Sequence, residues 1–266
     1  MEIKSIHRNQ GGVLAAILLF FLLACGATFT MEFPTPTVPA PTGTATDTPP
    51  SLKLTLTSIP YNESNLHPPA TITAQIPQLL GSDDPRVRAF NQAIGDLVES
   101  EVESFKLGLT GLSDPPEFAV STFDAKYNVV YQGGDLWSIK FDMTVYVDAA
   151  AHPGDISRTL NFDFARSKNI SMDDLFLADS NYLELISSNC SDQLSTRDIG
   201  FDATTVGTEP TPENYRNWNI TSDGLMITFD RGQVAAYAAP AQIVTIPYGE
   251  LTAIINPQGP LAGFGQ

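Results

Sequence analysis

Asp148, His152 and Asp155 fall within eight residues of one another, and a histidine flanked by carboxylates can relay a proton or hold a metal ion weakly. A metal centre asks for more ligands at defined spacing than these three supply. His152-Pro153 at a strand end also reads simply as a loop histidine bonded to backbone, so the three are taken as a binding surface, with no cofactor and no metal expected. His67 precedes Pro68-Pro69 and belongs to a loop. None of the serines sits in a Gly-x-Ser-x-Gly elbow, and no phosphate-cradling glycine loop occurs. Asp173-Asp174 ahead of Leu175-Phe176 reads as the flank of a short helix before it reads as a catalytic carboxylate pair. Trp137 alternates with Ile139 and Phe141, which assigns it to a core. Trp218 follows a polar loop, where it would serve equally as an exposed platform for a sugar ring. Tyr237 and Tyr248 would either hydrogen-bond across the closing strands or line a groove, and Tyr237 is retained as a binding candidate.

A second chemistry sits near the start of the chain. Leu22-Leu23-Ala24-Cys25 closes the apolar run Val13–Leu23, which is short for a bilayer span and preceded by Lys4, His7 and Arg8. A small residue before a cysteine and Gly26 after it make a lipobox, with Cys25 as the lipidated first residue of the mature chain. The competing reading is an ordinary anchor helix with a chance cysteine. The expected organisation is a lipoprotein signal peptide at 1–24, a lipidated Cys25 with a Thr/Pro-rich tether through 50, and one folded domain at 51–266. Two or three acyl chains hold a protein on a membrane stably. A polyproline-like tether at about 3.1 Å per residue would reach roughly 70 Å from the surface. The expected location is therefore the cell membrane, by lipid anchor, facing outside the cytoplasm.

Fourteen Lys and Arg stand against 30 Asp and Glu, a net charge of −16. Loss of Lys4, Arg8 and Glu2 with the leader would make it one unit more negative. Such an excess argues against nucleic acid and against anionic lipid, and favours basic partners or plain solubility. Two cysteines occur, one assigned to lipid, so no disulfide framework is expected. Cys190 keeps step with Leu183, Ile186 and Leu194, which makes it a buried helix-face residue.

These residues must be positioned by an α+β domain, a twisted and mostly antiparallel sheet with two main helices packed on it. Leu52, Leu54 and Leu56 alternate with polar residues as a strand does, and Thr71–Ile76 is a second strand stopped by Pro77. Asp84 caps a helix with Pro85 at its first position, and Val87, Phe90, Ile94, Leu97, Val98, Val102 and Phe105 line one face. Glu117–Tyr131 and Leu136–Val147 form a hairpin, followed by a strand at Arg158–Phe164. A helix from Asp179 or Ser180 and a loop at Gly200–Asn217 come next. Strands at Leu225–Phe229 and Gln242–Ile246 and a helix at Tyr248–Ile255 close the domain.

Two stretches together carry a family resemblance. One runs Asp148-Ala149-Ala150-Ala151-His152-Pro153, then Thr159-Leu160-Asn161-Phe162-Asp163, then Ile170 through Phe176. The other runs Thr221-Ser222-Asp223-Gly224-Leu225, then Gln233 through Ala239, then Val244 through Leu251. Their order and spacing resemble the extracytoplasmic domain of RsiV-type lysozyme-sensing anti-sigma factors. A similar domain precedes the catalytic part of some peptidoglycan deacetylases and occurs in lipoproteins of unknown function. The resemblance spans roughly Leu52 to Leu261. It implies a non-catalytic binding module whose partner is lysozyme, as a small basic protein, or peptidoglycan itself. Neither an anti-sigma segment ahead of the apolar run nor a deacetylase domain behind Gln266 is expected. The family's Gly-Gly-Ala-His-Pro is Ala149-Ala150-Ala151-His152-Pro153 here, and its Tyr-Ala-Ala-Gly is Tyr237-Ala238-Ala239-Pro240, so those turns are expected to be built differently. Alternatives from other classes are a divergent envelope hydrolase using His152 with Asp148 or Asp155, and an envelope scaffold without a specific ligand.

Overall fold

The computed structural model describes residues 54–64, 66–110, 120–202 and 206–264, all within the unit Pro50–Gln266. Cys25, the lipobox and the tether lie outside the described residues. Among the described residues no helix is long and apolar enough to cross a membrane.

Six strands form one sheet in sequential order, β1 (Thr55–Glu63), β2 (Ala70–Leu80), β3 (Ser121–Gly133), β4 (Leu136–Tyr146), β5 (Gly154–Asp163) and β6 (Lys168–Asn169). All neighbours are antiparallel except β2 and β3, which pair in parallel from Ala70↔Ser121 to Ala74↔Ala125. Parallel neighbours need a crossover, and α1 (Pro85–Leu109) lies in it. Asp84 caps α1 by accepting the Arg86 N–H at 2.8 Å, with Pro85 at the first helical position, as the sequence predicts. The helix buries Val87, Phe90, Ile94, Val98, Val102 and Phe105 against Ile72, Phe123, Trp137, Ile139, Phe141 and Phe162.

Pro77 does not stop β2, contrary to the sequence expectation. The β2–β3 ladder ends at Ala74, so beyond it that side of β2 has no strand neighbour. Residues two apart in a regular strand point their N–H groups the same way. Leu79 shows where that side leads: its N–H donates to Asn91 Oδ1 at 2.8 Å and its carbonyl accepts from Asn91 Nδ2 at 2.9 Å. One amide side chain on α1 stands in for a strand, and the donor that Pro77 lacks falls on the same open side. β1 also runs longer than the alternation of Leu52 to Leu56 indicates, because Pro60 is tolerated on an edge strand.

The second half of the chain builds a smaller sheet from β7 (Trp218–Ile220), β8 (Gly224–Phe229) and β9 (Gln242–Pro247), all antiparallel. One face carries Ile220, Leu225, Ile227, Val244 and Ile246, which pack with Ile186, Cys190 and Leu194 of α2 (Tyr182–Ser195). A short 3-10 turn at Met172–Leu175 and α3 (Tyr248–Leu251) close this second core. Gly224 is required at the β8 start, since a Cβ there would sit 2.2 Å from the Ile246 carbonyl oxygen.

The other face of β7–β9 is polar and meets the outer face of β4 and β5. Asn161 is the centre of the seam. Its Oδ1 accepts the Ser138 hydroxyl at 2.6 Å and the Ile220 N–H at 3.1 Å, while Nδ2 donates to the Trp218 carbonyl at 2.8 Å. Asn219 Nδ2 donates to Ser138 Oγ and to the Ile139 carbonyl. Asp230 caps the seam by accepting the Ser157 N–H at 2.8 Å. The layers are thus α1, six-stranded sheet, three-stranded sheet and α2.

Candidate functional site

The β4–β5 hairpin and the segment after β8 converge at one end of the six-stranded sheet. His152 and Tyr237 stack there, ring centroids 4.4 Å apart and planes 29° from parallel. The Tyr237 hydroxyl donates to the Pro153 carbonyl at 3.3 Å, and His152 Nδ1 lies 3.2 Å from the same oxygen. Arg231 spans behind them. Its Nε donates to Asp155 Oδ2 at 3.0 Å, Nη2 approaches the same oxygen at 2.9 Å, and the guanidinium lies 5.7 Å from the Tyr237 ring centroid. Thr144 donates to the other Asp155 oxygen at 3.1 Å. Three of the sequence-predicted residues, His152, Asp155 and Tyr237, are thereby one cluster, with both rings exposed.

Asp148 and Trp218 do not join it. The described contact of Asp148 is its N–H donating to Ser121 Oγ at 3.0 Å. Trp218 is 6% exposed, its side chain closed into the second core and its backbone bound at the Asn161 seam. It is therefore not an open stacking platform. A polar loop ahead of it gave no hint that Trp218 opens a strand with Ile227 as its opposite number. Tyr248 is buried, and its hydroxyl donates to the Thr221 carbonyl at 2.9 Å while burial pushes its pKa up. Asp173 accepts from the Tyr182 hydroxyl, and Asp174 closes a capping box on Ser171, so this carboxylate pair frames the 3-10 turn.

Ala149 has φ of +68°, the left-handed conformation for which glycine is the low-cost residue, so the turn carries strain here.

Beside the ring stack lies a cleft of about 310 Å³ between the outer face of β4–β5 and the strand-connecting segment, with Asp155 and Arg231 in its wall. Lys140 and Asp142 of β4 form its floor, joined to each other, and Pro240, Ala241 and Ile243 form the far side. Lys140 and Arg231 are the residues that the sequence reading missed. Lys140 sits on the face that strand alternation assigns to solvent, and only the overlying small sheet buries it. Arg231 directly follows Asp230 in a chain with few cations, which was the available signal. A second concavity of about 690 Å³ runs between α1 and the β1–β2 pair, past Tyr61, Gly95 and Glu99, and holds none of the sequence-predicted residues.

Residues 173–249, from the 3-10 turn to α3, match the family model described as protein of unknown function (DUF3298). That stretch of the chain is similar to the DUF3298 family. Over 171 residues, 63% of its length, the chain is 27% identical to the peptidoglycan-N-acetylmuramic acid deacetylase PdaC of Bacillus subtilis, and it spans 36% of that protein's length. A crystal structure of a DUF3298-family member from Bacteroides fragilis superposes with a TM-score of 0.59 at 16% identity, covering 80% of this chain and 97% of that one. A DUF3298-family protein from Pseudomonas aeruginosa gives 0.52 at 12% identity, covering 78% and 96%. These structures share the fold of this chain.

Proposed function

We propose that this chain is a non-catalytic binding module of the bacterial cell envelope, lipid-anchored through Cys25, that takes peptidoglycan at the His152–Tyr237 end of the sheet. The observation that carries the reading is the exposed ring stack beside a cleft lined by ion-paired donors and acceptors. An aromatic face for the apolar side of a sugar, with polar groups next to it, is the usual chemistry of a saccharide site. The contacts of His152 support binding over proton transfer: its ring nitrogen faces a backbone carbonyl, and Asp155 is held by Arg231. Similarity to a protein named as a peptidoglycan deacetylase supports a wall polymer as the ligand.

The test is retention of the full chain, in detergent, by purified peptidoglycan. Tyr237→Ala should lose most of the retained protein at moderate salt, and undiminished retention would refute the site. A basic protein such as lysozyme is the second reading, favoured by the net charge of −16. Capture by lysozyme that fades with salt and ignores Tyr237→Ala would support it, since complementary charge is screened beyond about 10 Å at 0.1 M salt.

A further inference from the structure

Lys140 is 8% exposed, and its described partner is the carboxylate of Asp142 on the same strand face. An ammonium carries three donors, Asp142 engages one, and Lys140 lines the cleft. The remaining donor capacity of Lys140 is therefore available to an oxygen bound in the cleft.

The charge around that donor decides what kind of oxygen. Lys140 is neutralised by Asp142 and Arg231 by Asp155, so the cleft wall has no net charge although it has strong donors and acceptors. The molecule as a whole is at −16, which repels a carboxylate or phosphate approaching this end. A neutral acceptor next to a neutral donor fits this arrangement. A sugar stacked on the rings would lie next to this group, since Asp155 and Arg231 belong both to the cleft wall and to the cluster around Tyr237.

We infer that the cleft reads the acetamido group of an N-acetylated amino sugar, with the acetamido carbonyl accepting from Lys140 Nζ. This rests on the peptidoglycan reading above and deepens it. The site distinguishes acetylated from de-N-acetylated glycan, so the module occupies unmodified wall and leaves modified wall. The carbonyl is lost on deacetylation, and the new ammonium would face Lys140 at close range.

Isothermal titration of the full chain in detergent tests this, with the tetramer of N-acetylglucosamine and the tetramer of glucosamine at 0.5 M salt, where long-range charge is screened. The acetylated tetramer should bind at least tenfold more tightly, in line with loss of one charge-assisted hydrogen bond. Lys140→Met should erase that preference by weakening the acetylated ligand, whereas Tyr237→Ala should weaken both. Equal binding of the two tetramers, or tighter binding of the glucosamine tetramer, would overturn the acetamido assignment while leaving a glycan site in place. If neither tetramer binds and intact peptidoglycan is not retained, the glycan reading itself fails. The ligand comparison on the unaltered chain stands even if Lys140→Met does not fold.

Discussion

Replacing Asn161 by alanine should be among the most damaging single changes in this domain. The side chain is 4% exposed and holds the edge of β7 as a strand would, through the Ile220 N–H and the Trp218 carbonyl. Alanine leaves both backbone groups buried without a partner, and each such orphan costs about 1–3 kcal/mol. Ser138 Oγ still accepts from Asn219 Nδ2 but loses its own acceptor, Asn161 Oδ1, which adds to the cost. The expected loss is about 4 kcal/mol, a large share of the roughly 5–15 kcal/mol that keeps a domain folded. Urea unfolding followed by tryptophan fluorescence should give a lower midpoint at unchanged slope. The exposed Asn128, whose side chain donates to Asp142 at 3.2 Å, supplies the control, with Asn128→Ala expected within about 0.5 kcal/mol of the parent. Asn161→Asp adds a pH test. Its carboxylate can accept from Ile220 but cannot donate to Trp218, and burial raises its folded pKa above the unfolded value near 3.9. The deficit should therefore be small below about pH 4 and grow as pH rises. A loss under about 1 kcal/mol for Asn161→Ala would refute the view that this amide replaces a strand.

Three further outcomes follow from local geometry. Ala149→Gly should stabilise by about 1 kcal/mol in thermal denaturation by releasing a left-handed alanine, and Gly95→Ala by a similar amount, because its new Cβ meets nothing within 4 Å in the middle of α1. Cys190, its pKa pushed up to about 12 by burial, should stay unmodified by iodoacetamide at pH 8 when mapped by peptide mass, and react once urea unfolds the chain. Hydrogen bonds from Arg86 hold Asp84 at about 2, and Lys168 and Ser171 outweigh burial to lower Asp174. Their contribution is complete above the unfolded value near 4 and is lost as pH falls through the folded one. The urea midpoint should drop between pH 5 and pH 2, less steeply in Asp84→Asn.

The first core was legible because one repeat governs each of its elements. The face of α1 and the alternation of Trp137, Ile139 and Phe141 each bury against a single partner. The seam was not legible, since Ser138, Lys140 and Asn161 are polar residues on the face that alternation assigns to water, and they are buried only because a second sheet lies on them. A sheet covered on both faces with one polar interface looks, residue by residue, like a sheet covered on one. β7 escaped for a related reason: three residues are too few to show a period, and its pairing is set by β8. His152, Asp155 and Tyr237 were recognised from type and motif, and their convergence came from tertiary folding across more than 80 residues of chain. Trp218 went the other way, its ring taken inside by the second core.

The register of the large sheet has a mechanical consequence. Thr55 pairs with Leu80 at one end of the β1–β2 ladder, and the His152 hairpin lies at the other, beside the start of β3 and the end of β4. Eleven residues of β2 separate these poles by about 35 Å. A pull on the chain ahead of Thr55, resisted by whatever the far pole grips, acts along the strands. The nine β1–β2 register pairs are then loaded together in shear and do not peel one by one. Strain of this kind is carried by the sheet that displays the site, so the N-terminal edge strand doubles as the clamp that keeps the domain closed under tension.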